Sequence, residues 1–420
     1  MLSIDFIREN PELVKKGALS KKKEVDIDEI LRLDAQKRKL QTELQILQAE
    51  RNENAKSSKG AKPSPEEIQH GKDLKEKIQK IEADLNVVTI AFDDLMLQVP
   101  NYPYPESPEG GEEANQEIKT WGEIPSFSFS PKSHIELIES LDLADLERGS
   151  KVSGFRGYFL KNELALLQMG IIMYVMQKLM AKGYTPLIAP ALVKEFTLFG
   201  NGQLPWGRQE VYHLQDDDLY LAGTAEVPVT AYYANEILDE KDLPKKFVAL
   251  SPCFRREIGN YGKDTKGLYR VHEFWKIEQL ILCKNDHEES KKMHAELEAN
   301  TEEIWQDLKI PYRVLLMAAG DMGEPQHFKY DVEAWMPHRN GYGEVGSNSI
   351  IGDFQARRLN IKYKKKDGTK EYVHTLNNTA VPFPRALVAI LENYQQEDGS
   401  IKVPEVLVPF VGFDTIKLKT

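Results

Sequence analysis

The sequence predicts an α+β protein built on a largely antiparallel sheet and preceded by an antiparallel helical hairpin. Three observations support this prediction. Residues 27 to 98 are rich in charge, poor in aromatic residues, and repeat one heptad pattern twice. A stretch rich in Pro, Gly and Glu follows them. Strand-like and helix-like runs then alternate irregularly, as in folds that pack helices on an antiparallel sheet.

The N-terminal hairpin is predicted from apolar positions spaced by three and four residues, which place one seam on each helix. Gly60, Pro63 and Pro65 interrupt this pattern, so the chain has to turn there. At 1.5 Å per residue, an arm of about 30 residues reaches roughly 45 Å, and we expect it to project from the body. The seam consists of Ile30, Leu33, Lys37, Leu40, Leu44, Leu47 and Arg51, followed by Leu74, Ile78, Ile81, Leu85, Val88, Phe92 and Leu95.

The charge of the hairpin indicates a function. The whole chain is acidic, with 55 basic against 66 acidic side chains and a net charge of -11. Residues 32 to 62, by contrast, contain eight Lys and Arg residues and four Asp and Glu residues. A local basic surface suits an RNA backbone, because neutralised phosphates release counterions. The alternative is a coiled coil for protein interaction or dimerisation, since exposed helix faces also carry lysine.

The domain boundaries follow from changes in composition. We predict an N-terminal domain at 1–100 with the hairpin at about 27–98, a linker at 101–120, and an α+β domain at 121–420. Amphipathic patterns in the α+β domain predict helices at 163–183 and 286–308. Strands are predicted at 219–223, 245–250, 312–319, 330–335 and 405–412.

Composition argues against several classes of protein. Cys253 and Cys283 are too few for a disulfide framework or a cysteine-rich zinc site, which favours a reducing, cytoplasmic location. The start of the chain lacks the apolar run of a secretory signal. The most apolar stretch, 165–180, is interrupted by polar side chains and is shorter than the ~20 residues of a membrane span. We therefore expect no membrane partner.

Residues 253–278 form the most informative segment. They combine an Arg-rich strand, a Gly-rich basic loop, and a second strand with aromatic and acidic side chains. Arginine binds phosphate oxygens in a bidentate manner, and an aromatic face can hold a purine. The segment therefore suits a nucleotide polyphosphate. The alternative interpretation is an ordinary hairpin with a charged loop.

Together with its flanking motifs, this segment resembles the seryl-tRNA synthetases of the bacterial type, which are class II aminoacyl-tRNA synthetases. Residues 254–257, the loop and residues 270–278 are similar to motif 2 of that class. The helix that ends in GYTPLIAP resembles motif 1, with Pro190 as its signature proline, and residues 377–407 resemble motif 3 around Arg385. Serine-specific context is also similar, in GNGQLP, LAGTAEVP, LDEKDLP, YDVEAWMP and DFQARR.

The resemblance implies a class II catalytic domain and an enzyme with two steps. First, the carboxylate of L-serine attacks the α-phosphate of ATP, which gives seryl-adenylate and pyrophosphate. Second, the seryl group moves to the 3′ end of tRNA-Ser, with selenocysteine tRNA left open as a further substrate. The resemblance also implies that the helical arm binds the tRNA, that the chain forms a homodimer around Pro190, and that Mg²⁺ accompanies ATP.

The resemblance assigns roles to individual residues. Arg255 and Arg385 would be catalytic, on the α- and γ-phosphates, and Glu344 and Ser347 would hold the metal. The expected ATP-binding residues are Arg255, Arg256, Glu257, Arg270, Val271, Phe274, Glu344, Val345, Gly346, Ser347 and Arg385. The expected serine-binding residues are Thr224, Ala225, Glu226, Arg255, Glu278, Asn377 and Thr379, the last of these for the substrate hydroxyl.

The chain departs from the family pattern in two places. The Pro-Phe-Pro run at 382–384 precedes Arg385 where the family usually has a small, flexible run, and Ile350 and Ile351 replace small or polar residues. Proline fixes φ and lacks a donor, so we expect altered backbone contacts there.

Two alternatives come from other classes of protein. One is a paralogue that keeps the fold and the arm but only binds its ligands. The other is an amino-acid:carrier-protein ligase, which usually lacks this arm. The catalytic arginines and the pocket carboxylates of the family are retained, which favours the synthetase over both.

Overall fold

The computed structural model describes residues 1–57, 64–258 and 266–418. The chain divides into two compact units, Met1–Tyr102 and Pro103–Thr420. The N-terminal unit is helical. Its helices are α1 (Ile4–Glu9), α2 (Pro11–Ser20), α3 (Ile27–Ser57) and α4 (Pro65–Gln98).

Local sequence signals define where these helices begin. The Ser3 side chain accepts a hydrogen bond from the Phe6 N–H at the start of α1. At the start of α4, Ser64 and Glu67 form a reciprocal capping box, and Pro65 occupies the first turn, where its missing N–H is not needed. The break predicted from the prolines falls largely at 58–63, outside the described residues.

Helices α3 and α4 pack against each other in antiparallel orientation. Near the base, the Lys37 ammonium lies 4.6 Å from the centroid of the Phe92 ring. Near the tip, the Asn54 side chain donates to the Glu67 carbonyl over 3.2 Å. The predicted helical hairpin is confirmed. The predicted seam is buried in α4 at Leu74, Ile78, Ile81, Val88 and Phe92, whereas its members Leu85 and Leu95 are half-buried.

The base of the hairpin shares a core with the first two helices. Ile7 of α1 and Val14 of α2 are buried against it. Arg8 donates to both carboxylate oxygens of the buried Asp34, over 2.8 and 2.9 Å, and such bidentate pairs are strong. Among the described residues of the arm, 45–57 and 64–84 lie beyond this core, so the distal half of the arm is structurally separable from its base.

The second unit is an α+β domain. Its helices are α5 (His134–Ser140), α6 (Leu146–Ser153), α7 (Asn162–Ala181), α8 (Glu195–Asn201), α9 (Glu226–Thr230), α10 (His287–Asp307), α11 (Phe354–Leu359), α12 (Phe383–Asn393) and α13 (Val408–Val411). Its strands are β1 (Gln116–Trp121), β2 (Ala144–Asp145), β3 (Phe159–Leu160), β4 (Thr185–Ile188), β5 (Leu192–Lys194), β6 (Tyr212–Leu214), β7 (Leu219–Leu221), β8 (Ile237–Asp239), β9 (Lys245–Phe254), β10 (Glu273–Cys283), β11 (Tyr312–Leu316), β12 (Phe328–Met336), β13 (Gly341–Gly352), β14 (Lys362–Lys364), β15 (Lys370–Tyr372), β16 (His374–Pro382), β17 (Ile401–Lys402) and β18 (Thr415–Ile416).

An eight-stranded sheet organises this domain, in the order β1-β11-β12-β13-β16-β10-β9-β4. Neighbouring strands are antiparallel except at one edge, where β4 pairs with β9 in parallel. This confirms the predicted architecture. The unit begins at Pro103 and residues 116–121 form the other edge strand, so part of the linker predicted at 101–120 belongs to the sheet.

The two faces of the sheet differ in character. Alternate side chains of β10 point to opposite faces, as in any strand. Ile277 and Ile281 enter the main apolar core together with the buried sides of α7, α10 and α12, and we call this the core face. Leu280 and Leu282 belong to a second, smaller apolar cluster on the opposite face, which we call the pocket face.

One predicted strand is wrong. Residues 405–412 form a 3₁₀ turn at Glu405–Leu407 and then the helix α13. A short apolar run does not distinguish a strand from a helix by its periodicity. Here Pro409 lies in the first turn of α13, and Gly412 ends the helix in the left-handed conformation with φ 82°, both of which are ordinary helix signals.

Helix α7 is long and apolar enough to cross a membrane by length and composition. The prediction that its apolar stretch is too short for a span is therefore wrong, because the helix extends over 20 residues. One side of α7 lies in the main core, which explains its composition. That side contains Leu164, Leu167, Ile171, Val175 and Leu179. The opposite side exposes Leu166, Met169, Met173 and Met180.

Both cysteines are buried in the sheet, Cys253 on β9 and Cys283 on β10. Burial raises the pKa of both thiols, to about 12 for Cys283. Because the thiolate is the reactive form of cysteine, neither side chain is a candidate nucleophile.

The packing of α7 against α13 gives a testable prediction at Gly170. A Cβ atom there would lie 2.4 Å from Cγ1 of Val411, so a larger side chain has to displace α13. We expect Gly170→Val to lower stability by about 1–3 kcal/mol, as overpacking does. Calorimetry should show a lower unfolding midpoint, partly recovered by adding Val411→Ala. The control is Ala299→Val on the exposed side of α10; an equal loss there would assign the effect to β-branching instead.

Candidate active site

A polar cavity lies on the pocket face of the sheet, over β10, β13 and β16 and beside the first turn of α12. Its lining comes from segments that are distant in sequence and meet only in the folded sheet. The predicted site residues that line it are Arg255, Glu257, Arg270, Val271, Phe274, Glu344, Val345, Gly346, Thr379 and Arg385. The other lining residues are Tyr269, Lys276, Pro382 and Pro384. Residues 259–265 of the predicted motif 2 loop lie outside the described residues.

Two irregularities in strand pairing decide which side chains face this cavity. The first is in β13, where the register shifts between Glu344 and Gly346. Glu344 therefore lies opposite Glu333, and Ser347 lies opposite Asp331, two residues earlier on β12. In a regular strand, residues three apart face opposite sides; this β-bulge puts Glu344 and Ser347 on the same side.

The second bulge, in β16, has the same effect. Glu278 of β10 pairs with Thr379, but Lys276 pairs with Pro382 instead of residue 381. Pro382 therefore joins Thr379 on the pocket face. Asn378 points to the core face, where it donates to the backbone of α10 over 2.8 Å, so its side chain does not face the cavity.

Arg255 directly follows β9 and reaches into the cavity. Its Nε donates to the Gly223 carbonyl over 3.1 Å, which restrains the guanidinium. The guanidinium carbon lies 5.4 Å from the centroid of the Phe274 ring, within the range of a cation–π contact. The cavity thus presents a fixed positive charge beside an aromatic side chain.

Arg385 enters the cavity from the first turn of α12. Its Nη1 donates to the Glu344 carbonyl over 2.8 Å and lies 3.2 Å from the carboxylate of the same residue. The guanidinium carbon also lies 4.8 Å from the centroid of the Tyr269 ring. The N-terminus of α12 adds positive potential at this point. Pro382 ends β16 and Pro384 lies in the first turn of α12, so the helix loses no backbone hydrogen bond to either.

The charges around Glu344 keep it ionised. Partial burial alone would raise the pKa of its carboxyl, but the positive charges of Arg385, Lys329 and Arg255 outweigh burial and lower it. Asp331 behaves in the opposite way: burial raises the pKa of its carboxyl although it pairs with Lys329 over 2.9 Å. Glu344 is therefore an anionic oxygen donor in a cavity that also holds several cations.

Glu257 and Arg270 form an ion pair of 3.1 Å at the cavity wall. Glu257 has φ 53°, in the left-handed region that residues with a side chain rarely adopt. Such a conformation costs on the order of 1–3 kcal/mol and is typical of functional sites. Here the turn places Glu257 in the lining, whereas Arg256 is exposed and does not line the cavity.

A buried group of polar side chains adjoins the cavity through Lys276 and Thr379. The Glu278 carboxylate accepts from Thr224 Oγ1 over 3.0 Å and forms an ion pair with Lys276. Lys276 Nζ also donates to Thr379 Oγ1 over 3.2 Å, and Thr379 Oγ1 lies 3.5 Å from Glu278 Oε1. All four residues are at most 8% exposed, so water screens these interactions little.

Glu226 begins α9 and completes this buried group. Its carboxylate accepts from Gln355 Nε2 over 2.7 Å. Burial raises the pKa of Glu226 to about 7, and the negative charge of Glu278 adds to the effect. Near neutral pH, Glu226 is therefore divided between its neutral and charged forms. A cation bound beside it would favour the charged form.

Three further predicted residues stand apart from the lining of the cavity. Ala225 is fully buried in the second apolar cluster, which leaves only its backbone for a ligand. Ser347 hydrogen-bonds the Asp331 carboxylate. Asn377 lies two positions before Thr379 on the same strand and is buried beside Leu280 of β10.

Comparison with known proteins identifies the family. Residues 210–394 match the tRNA synthetase class II core domain (G, H, P, S and T), and residues 1–103 match the seryl-tRNA synthetase N-terminal domain. The serine–tRNA ligase of Treponema denticola is 46% identical over 424 residues, which cover 99% of this chain and 100% of that protein. The chain belongs to the seryl-tRNA synthetase family.

Solved structures of the family share the whole fold. The seryl-tRNA synthetase of Pyrococcus horikoshii, complexed with ATP, has a TM-score of 0.93 and 40% identity, and the match covers 100% of both chains. The cytoplasmic serine–tRNA ligase of Naegleria fowleri, in complex with AMP, has a TM-score of 0.89 and 31% identity over 100% of this chain and 99% of that one. The predicted family, fold class and enzyme class are thus confirmed.

Sequence reasoning missed two residues of this synthetase. Lys276 alternates with Phe274 and Glu278 along β10, so the period of two that places those residues on the pocket face also places Lys276 there. That signal was available in the sequence. Gln355 lies in a segment similar to the family, but its partner Glu226 is 129 residues away, and only the fold brings the two together.

The position of Glu226 predicts a pH-dependent stability of the synthetase. Its pKa rises from 4.5 to about 7 on folding, so its contribution to stability is present below about pH 4.5 and is lost as the pH rises through 7. We expect Glu226→Gln to raise the unfolding midpoint at pH 8, by the equivalent of about 1–3 kcal/mol, and much less at pH 5. Calorimetry at both pH values tests this, with the exposed Glu123→Gln as control. An equal gain at both pH values would contradict the burial effect.

Proposed function

We propose that the cavity and the buried group beside it are the site where this synthetase activates L-serine with ATP. One observation carries the proposal: Lys276 and Thr379 connect a cavity lined by three arginines to two carboxylates, the buried Glu278 and the half-buried Glu226. The arginines can bind phosphates and the carboxylate of a substrate, and the two carboxylates can bind its ammonium. The relatives solved with ATP and with AMP support a nucleotide in the cavity.

In the proposed mechanism, Arg255 binds both the α-phosphate of ATP and the carboxylate of serine, two anions that would otherwise repel each other. Arg385 holds the γ-phosphate, and Phe274 stacks on the adenine, whose amino group donates to Glu257. The serine carboxylate attacks the α-phosphorus and pyrophosphate leaves, so no protein nucleophile is needed. Catalysis then comes from alignment and from fixed positive charge.

The residues present fit a divalent cation beside the nucleotide. Glu344 is half-exposed in the cavity wall, and the bulge in β13 brings Ser347 to the same side. Hard oxygen donors suit Mg²⁺, which takes its other ligands from phosphates and water. Among the described residues, no group of three or more His, Cys, Asp or Glu side chains could hold a metal without such help. When bound, Mg²⁺ would neutralise charge on the departing pyrophosphate.

For serine itself, we assign the ammonium to the carboxylates of the buried group and the hydroxyl to Thr379. The raised pKa of Glu226 suits an ammonium, because that ligand arrives with the charge that favours the carboxylate form. Asn377 is a proposed neighbour of the bound serine, since it is buried on β16 two positions from Thr379.

In the second step, the ribose hydroxyl at the 3′ end of tRNA-Ser attacks the carbonyl of seryl-adenylate and releases AMP. We assign tRNA binding to the arm. Its match to the seryl-tRNA synthetase N-terminal domain supports this, as do the exposed basic side chains Lys39, Arg51, Lys56, Lys72 and Lys75. Contacts of this kind follow the RNA backbone and shape rather than its bases. Selenocysteine tRNA stays an untested substrate.

We further propose a homodimer that acts in the cytoplasm. The exposed apolar side of α7 continues a surface on which Ile188 is 84% exposed, next to the exposed Pro190. A second copy of the chain would cover such a patch by two-fold symmetry. A reducing compartment matches the two free cysteines.

The phosphate role of Arg255 is testable by serine-dependent pyrophosphate exchange. Arg255→Ala removes one preorganised charge, and we expect exchange to fall by about 100-fold or more. The control is Arg148→Ala, an exposed arginine of α6 that pairs with Asp145, which should leave exchange unchanged. Near-normal exchange in Arg255→Ala would refute its role. Absence of exchange in the wild type would instead favour a paralogue that only binds.

The arm can be tested apart from the chemistry, because its described residues 45–57 and 64–84 lie beyond the core at its base. We expect deletion of 45–84, closed by a short glycine turn, to spare pyrophosphate exchange. Charging of tRNA-Ser should fall by about 100-fold or more, since several phosphate contacts are lost.

A charge-matched pair of full-length variants refines this experiment. Neutralising Lys39, Arg51 and Lys56 together should weaken tRNA binding and flatten its dependence on salt. Neutralising the three exposed acidic residues Glu43, Glu50 and Glu53 should not weaken it. If the shortened protein charges tRNA-Ser as well as the full chain does, the arm has no part in recognition.

A further inference from the structure

Lys276 is a cation inside a pocket that has to receive the ammonium group of serine. It is 5% exposed, forms an ion pair with Glu278 and donates to Thr379. Without it, the carboxylates of Glu226 and Glu278 would attract any small cation. With Lys276 present, the charge of Glu278 is compensated, and Glu226 is the carboxylate left for an ammonium.

The hydrogen bonds fix the direction in which two threonine hydroxyls donate. An ammonium can only donate, so the Thr379 oxygen accepts from Lys276 and its own proton points elsewhere. That proton faces Glu278 Oε1 at 3.5 Å, the outer limit of a hydrogen bond. Similarly, the Glu226 N–H donates to Thr224 Oγ1 over 3.2 Å, and Thr224 donates to Glu278 Oε2 over 3.0 Å.

The long contact between Thr379 and Glu278 marks a place for a substrate hydroxyl. A hydroxyl bound there accepts the Thr379 proton and donates its own proton to Glu278 Oε1, which replaces one long hydrogen bond by two. An alanine side chain would leave both partners without this bridge. A thiol is a poor substitute, because it is a weak donor and a weak acceptor.

We propose that Lys276 sets the specificity for the serine hydroxyl, by polarising Thr379 as a donor and compensating the charge of Glu278. Of the two carboxylates assigned to the ammonium above, Glu226 then holds it, and Glu278 is left to recognise the hydroxyl. This inference rests on the proposed function of the site. Lys276 acts through its two neighbours, so it is a positioning residue.

The probe that tests this is 2,3-diaminopropionate, in which a second ammonium replaces the hydroxyl of serine. The wild-type pocket should reject it, because Lys276 places a positive charge beside that position. In Lys276→Met, the uncompensated Glu278 should bind the second ammonium. The compound should then compete with serine in pyrophosphate exchange at least about tenfold more strongly than in the wild type.

Lys276→Met should also lose preference for serine over alanine, measured as the ratio of the kcat/KM values for the two amino acids in pyrophosphate exchange. We expect a fall of about tenfold or more, with the KM for ATP unchanged. Adding Thr379→Val should lower the ratio no further, because both changes act on one hydroxyl. Lys276→Arg keeps a cation that only donates and should retain the preference.

Asn378→Ala controls for a purely structural effect. Asn378 neighbours Thr379 on β16 but donates a hydrogen bond to α10 on the core face. Its loss should therefore lower the unfolding midpoint without changing the preference for serine over alanine or the rejection of 2,3-diaminopropionate. If Lys276→Met keeps the wild-type preference and still rejects 2,3-diaminopropionate, the inference is wrong. It is also wrong if the wild type binds that compound as well as serine, a measurement that needs no variant.

The test of Lys276 can be distinguished from the test of the proposed function. Absence of serine-dependent exchange in the wild type overturns the function of the site. Normal exchange with an unchanged preference in Lys276→Met overturns only the role of Lys276.

Discussion

The site depends on the pairing of β10 with β9 and β16 in the middle of the sheet. This pairing brings Phe274, Lys276 and Glu278 onto one face, beside Thr379 and Pro382 of β16, which lie more than one hundred positions later in the chain. The bulges in β13 and β16 then shift the register so that further polar side chains reach the same face. Without these shifts, Glu344 would face away from Ser347 and Pro382 away from Thr379, because a slip of one residue turns every later side chain to the opposite face.

Much of this arrangement is predictable from the sequence. The heptad seam predicts the two arm helices because its period is long and repeated, and the alternation along β10 contains enough information to find Lys276. The bulges are different: no residue in the sequence marks where the register shifts, so the shared face of Glu344 and Ser347 and that of Thr379 and Pro382 come only from the structure. The strand predicted at 405–412 is wrong for another reason, since a short apolar run fits both a strand and a buried helix.

The site also lowers the stability of the fold. A carboxyl with a raised pKa at Glu226, a buried ion pair at Glu278 and a left-handed Glu257 each cost free energy that a core of apolar residues would not. The core face offsets these costs. There, the side chains of Gln279 and Asn378 donate to the Thr301 hydroxyl of α10. The strands that form the pocket are thus held to α10 by hydrogen bonds as well as by apolar packing. Stability and recognition are thus divided between the two sides of one sheet.

The burial of both cysteines has a practical consequence for observing the arm. Because their thiols are inaccessible and their pKa values are raised, alkylating reagents will leave the folded chain unlabelled. A single cysteine placed at an exposed arm position such as Glu53 would then take a fluorophore selectively, with no need to replace either native residue. Fluorescence from that label would follow the motion of the arm as RNA arrives, in a chain whose catalytic sheet is untouched.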